Sequence, residues 1–113
     1  MIKVTFFKEN DNIVSVQLTG HAESGPYGHD IVCAAVSALS IGTANSLIQI
    51  AEVDLDITSD DEEGGYLLFS LPETVTLEQM ETAQILLKSL VLSLESTEQE
   101  YGSYIKLYYS SKK

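Results

Sequence analysis

The chain has 113 residues, 44% of them hydrophobic, enough for one folded core and too few for two domains. Six lysines and no arginine stand against seventeen acids, a formal net charge of −11. So acidic a body repels phosphate backbones and draws basic partners, which excludes nucleic-acid binding as its main task.

Ile2, Val4 and Phe6 alternate with Lys3, Thr5 and Phe7, the period of a strand. Glu9-Asn10-Asp11-Asn12 is turn chemistry, and Val14, Val16 and Leu18 alternate next, so the chain opens with a predicted hairpin. Gly20 closes the second strand. The loop that follows contains Gly25-Pro26, which stops any regular element. Asp30 is then the predicted N-cap of a helix from Ile31 to about Ala51, apolar or small nearly all round. Such a helix needs covering on most sides, by a sheet, a second helix or another subunit.

The same stretch is uncharged over a length that could span a bilayer. It carries Ser37, Ser40, Thr43, Asn45, Ser46 and Gln49 and lacks flanking basic anchors, so the expectation is a buried helix with no membrane partner. With one cysteine the chain makes no internal disulfide, and its first residues hold too short an apolar run for a signal peptide. Both suit a reducing, cytoplasmic setting.

Val53, Leu55 and Ile57 alternate with Asp54, Asp56 and Thr58, predicting a third strand before the acidic turn Ser59 to Gly65. Tyr66 to Leu71 predicts a fourth, ended by Pro72. Thr76 and Gln79 form a capping box for a helix to about Ser96, with Leu77, Met80, Ala83, Leu87, Leu90, Val91 and Leu94 on one face. Tyr101 to Tyr109 predicts the last strand, with either Ile105, Leu107 and Tyr109 or Tyr104, Lys106 and Tyr108 turned inward. The order β-β-α-β-β-α-β points to an α+β domain over residues 1–113, one antiparallel or mixed sheet packed with two helices.

The chemistry-bearing side chains cluster in residues 21–37. With Asp30 as cap, Cys33 falls at the third helical position, where free amides and the helix dipole favour a thiolate and could steady an oxyanion. The bland alternative is a cysteine buried as a small apolar residue. His21 at the strand end and His29 before the cap are the available bases, and spacing alone does not choose between them. Ser37 lies one turn beyond Cys33 on the same face. Asp30 could orient an imidazole as well as cap. Gly25, Pro26, Tyr27 and Gly28 form a candidate gate over the thiol. One cysteine and two histidines offer no zinc constellation, the acidic run lacks calcium-loop spacing, and no cofactor is implied. A silent acidic module that binds basic proteins, and a redox or acyl-transfer thiol protein, are the rival readings of the same residues.

Gly20-His21-Ala22, a short loop, then Gly28-x-Asp30-Ile31-Val32-Cys33-Ala34-Ala35-Val36-Ser37-Ala38 closely resemble the Prp (YsxB-like) family of bacterial ribosomal-processing cysteine proteases, with His29 at a variable, often basic position. The resemblance implies an endopeptidase that removes a short N-terminal extension from a basic large-subunit ribosomal protein, number twenty-seven. It implies Cys33 as nucleophile and His21 as base, with Asp30 and Ser37 at supporting positions. It further implies a homodimer, with a loop from Ala22 to His29 that shields the thiol until substrate opens it.

Overall fold

The computed structural model describes residues 1–20, 27–60 and 65–111, with backbone only for 27–30. Its elements are β1 (Ile2–Glu9), β2 (Asn12–Thr19), α1 (Tyr27–Gln49), β3 (Asp56–Asp60), β4 (Tyr66–Ser70), α2 (Leu77–Tyr101) and β5 (Ile105–Ser111). The predicted element order holds throughout. The strands form one sheet in the order β3-β4-β2-β1-β5, antiparallel except for the parallel pair β1 and β5.

Local chemistry explains the hairpins. Asn10 and Asp11, the two residues between β1 and β2, both take positive φ (52° and 68°), the signature of a type I′ turn whose twist suits a hairpin. A register shift follows at Phe7/Lys8. Past it, the Val14 carbonyl accepts a 2.9 Å bond from Leu71 N–H, tying the loop after β4 to β2.

The core lies between the sheet and the helices. Val4, Phe6, Val16, Phe69 and Ile105 from the strands meet Val32, Leu47, Leu87, Leu90 and Leu94 from the helices, all at 3% exposure or less. Among the described residues Gln84 of α2 is the one long polar side chain buried in this core. Its Oε1 accepts from Ile13 N–H and its Nε2 donates to Ile13 C=O, both at 2.8 Å, closing the backbone of β2. Ser40 of α1 is fully buried, and its hydroxyl has no hydrogen-bond partner among the described residues.

Several boundaries depart from expectation. Val53 and Leu55 precede β3 instead of starting it: Val53 N–H bonds the Leu47 carbonyl at 3.0 Å, so that segment closes off α1. α2 runs on to Tyr101, five residues past the predicted end. Leu77, the first residue of α2, is 84% exposed and leaves the predicted apolar face, which begins to be covered at Met80. The capping box is as predicted, with Gln79 N–H on Thr76 Oγ1 at 3.1 Å and Thr76 N–H on Gln79 Oε1 at 2.8 Å. In β5 it is Ile105 and Leu107 that turn inward, while Tyr109 stacks on Phe6 at 5.7 Å.

α1 is covered on one side only. Val32, Val36, Ser40, Ala44 and Leu47 form its buried stripe, while Ile31, Ile41 and Ile48 stand 48%, 52% and 37% exposed. Ile31–Gln49 is long and apolar enough to cross a membrane by length and composition, yet its stripe belongs to the core.

Candidate active site

A cavity of about 530 Å³ opens where the first half of α1 passes over the sheet. Cys33, Val36, Ser37 and Ile41 line it from the helix, Ile2, Leu18 and Gly20 from β1 and the end of β2, and Ser59, Gly65, Tyr66 and Leu67 from the β3–β4 side. Cys33 is half-buried, packed against the core on one side and facing this space on the other. It is therefore not sealed among aliphatic neighbours, as a purely structural cysteine would be. Ser37, one turn further along α1, is exposed and lines the same cavity.

Gly20 is the fixed point of the opposite rim. Its φ of +87° is left-handed, and a Cβ there would run into the Met1 carbonyl, so only glycine fits. Its N–H bonds the Gly65 carbonyl at 3.2 Å, joining the end of β2 to the start of β4. His21 follows one peptide bond later. Residues 21–26, which include His21, Gly25 and Pro26, lie outside the described residues.

The start of α1 corrects the helix-end reading. The helix begins at Tyr27, so Asp30 is its fourth residue and not its N-cap, and Cys33 is its seventh. Pro26 directly precedes the first helical residue in sequence, and proline is well tolerated at a helix start. Tyr27, Gly28 and His29 therefore belong to the first turn of α1, and the predicted gate loses those members to the helix. The free amides of a helix start belong to its first turn, and the dipole's influence falls off within that turn. By the seventh residue the N–H is directed to the carbonyl four residues back. The thiol thus gains less from the helix end than predicted, and the amides beside it are poor candidates for an oxyanion hole. The same shift puts residue 29 one turn before residue 33 along the α1 backbone.

The strand-borne lining of the cavity was missed in the sequence. Ile2, Leu18, Ser59, Tyr66 and Leu67 carry no local motif, and they meet only through the pairings Leu18↔Leu67 and Ser59↔Leu67 and the β1–β2 hairpin. Among the described residues no group of three His, Cys, Asp or Glu side chains could hold a metal ion.

A half-buried cysteine on the first long helix of an α+β sandwich, facing a cavity of about 530 Å³, is compatible with a thiol enzyme, and comparison with known proteins narrows the class. The family model for the cysteine protease Prp matches residues 1–106. The chain is 36% identical over 110 residues to the ribosomal processing cysteine protease Prp of Bacillus subtilis (strain 168), covering 95% of this chain and 96% of that one. It is 35% identical over 101 residues to the protein of the same name from Staphylococcus aureus (strain Mu50), covering 89% and 91%. Among solved structures, an essential ribosomal processing protease Prp from S. aureus in complex with a substrate peptide superposes with a TM-score of 0.83 at 33% identity, covering 96% and 99% of the two chains. A Streptococcus mutans protein superposes at 0.89 with 34% identity, covering 99% and 96%. The chain belongs to the Prp family of cysteine proteases.

Proposed function

We propose that this protease removes an N-terminal extension from a basic large-subunit ribosomal protein, number twenty-seven, using Cys33 as nucleophile and His21 as general base and acid. The observation that carries the reading is the placement of Cys33, half-buried and facing a cavity of about 530 Å³ whose far rim is Gly20, the residue before His21. The curated relatives are ribosomal processing proteases, and a net charge of −11 steers a basic peptide toward the enzyme.

In the proposed reaction the imidazole of His21 takes the thiol proton, and the sulfur attacks the scissile carbonyl carbon. The tetrahedral intermediate collapses as the imidazolium protonates the leaving amine, which departs with the C-terminal fragment. Water, deprotonated by the same imidazole, then attacks the thioester, releasing the N-terminal fragment as a carboxylate and restoring the thiol. Asp30 and Ser37 are supporting positions, Ser37 through its place on the cavity wall.

The protein acts in the cytoplasm as a homodimer. Two bodies of like charge repel over most of their surface, and α1 supplies the face on which they can meet. No charged residue interrupts the chain between Asp30 and Glu52, and Ile31, Ile41 and Ile48 are exposed along it.

The test incubates the protein, Cys33→Ala, His21→Ala and His29→Ala with a peptide spanning the ribosomal protein's N-terminal junction. Cleavage by the parent and His29→Ala, and none by the other two, is expected. Loss of cleavage in His29→Ala alone would reassign the base, undiminished cleavage by Cys33→Ala would remove the nucleophile, and binding without cleavage by the parent would favour a silent acidic module.

A further inference from the structure

The two edges of the sheet are treated differently. At β5 the edge is blunted: the Leu107 N–H is taken up by Glu98 Oε2 of α2 at 2.9 Å, and Glu95 reaches over to accept from Tyr109 Oη at 2.8 Å. β3 is paired on one flank only, with β4, and all five of its residues are exposed. Its sequence, Asp56-Ile57-Thr58-Ser59-Asp60, holds no lysine or proline, and its register with β4 runs without a bulge. Among the described residues no side chain bonds the backbone of residues 56–59. Edge strands are ordinarily protected by such devices; β3 has only the charge of Asp56 and Asp60 at its two ends, and Ile57 and Ser59 between them aim N–H and C=O groups outward as a template for another strand.

This open edge is continuous with the thiol cavity. Ser59 lines the cavity that Cys33 faces, and so does its register partner Leu67. Ile57, opposite the buried Phe69, lies on the same inner side of the strand and is 49% exposed, an apolar surface open to solvent. Asp56, Thr58 and Asp60 lie on the other side, so that side of the edge is acidic.

We infer that the substrate binds as an added strand along β3, its backbone paired with the edge and its scissile bond carried toward Cys33. The inference rests on the proposed protease function and specifies how that substrate is held. A strand's side chains alternate, so one set faces Ile57, Ser59 and the cavity while the other faces Asp56 and Asp60. The peptide that fits is extended, with apolar residues at every second position and polar or basic residues between them. Backbone pairing supplies affinity, and the alternation supplies selectivity.

The probe is the N-terminal junction peptide of the ribosomal protein, made as a series with one backbone N–H at a time N-methylated, away from the scissile bond. With the parent enzyme, methylation at every second position should lower kcat/KM roughly tenfold, the value of one well-made hydrogen bond, and leave the positions between near parent. Binding of the same labelled series to Cys33→Ala should alternate in the same way. Ile57→Pro, at a position whose N–H lies on the open flank, should lower kcat/KM at least as far, and further than Ile57→Ala, while circular dichroism stays unchanged; the peptide series needs no altered protein if this variant misfolds. Cleavage with no alternation overturns the added strand and leaves the protease. Alternating affinity for Cys33→Ala without cleavage by the parent upholds the edge and overturns the protease. Neither binding nor cleavage overturns both.

Discussion

The two helices of this fold do opposite jobs, and their surfaces show it. α2 has a complete capping box, a stripe of buried leucines and exposed acids, and it braces the sheet through Gln84 and Glu98. α1 carries the thiol, has no charge between Asp30 and Glu52, and leaves isoleucines uncovered. α2 too leaves Leu77, Ile85 and Leu92 exposed, so what separates the two helices is their charge, their polar ties to the sheet and the thiol, not apolar exposure. Substitutions in α1 should therefore cost activity or assembly, and those in α2 stability.

Cys33→Ala is the sharpest way to break that division. It should lower turnover of the junction peptide by at least ~10³-fold, as loss of a nucleophile does, with little change in the thermal midpoint. A large drop in thermal midpoint would make the cysteine a packing residue first. On the other helix, Gln84→Leu should strand the Ile13 N–H and C=O inside the core. A loss of roughly 2–3 kcal/mol in urea unfolding is expected, with kcat/KM intact.

Ile48→Glu places a charge on the bare face of α1, away from the cavity. It should weaken self-association at least roughly tenfold in sedimentation experiments while changing monomer stability by about 0.5 kcal/mol or less. Thr76→Ala removes the cap of α2 and should lower stability by about 1 kcal/mol without touching oligomeric state or turnover.

The smallest effect concerns Tyr109, where α2 reaches the last strand. Its phenol is pushed up to about 12, first by burial, then by the Glu95 carboxylate it bonds and by the charge of Glu98. The folded state holds this proton more tightly than the unfolded chain, whose tyrosines titrate near pH ~10. The stability it contributes is thus fully present below about pH 10 and lost as pH rises from there to about 12. Glu95→Gln should move the phenolate transition, followed by ultraviolet absorbance, down toward pH ~10. No movement would mean that burial and the charge of Glu98 set it without Glu95.

Much of this was written locally. The alternation of Ile2, Val4 and Phe6, the Asn10-Asp11 turn and the Thr76–Gln79 box each act within a few residues, so the element order and the start of α2 follow from the chain itself. The run from Gly20 to Ser37 singled out the thiol. Tertiary structure decided what depends on partners distant in sequence: the parallel pairing of β1 with β5, the strand residues that wall the cavity, and the exposure of Leu77 and Ile57. It also moved the start of α1 from Ile31 to Tyr27, because a glycine only biases a helix boundary while the packing of the whole helix sets it.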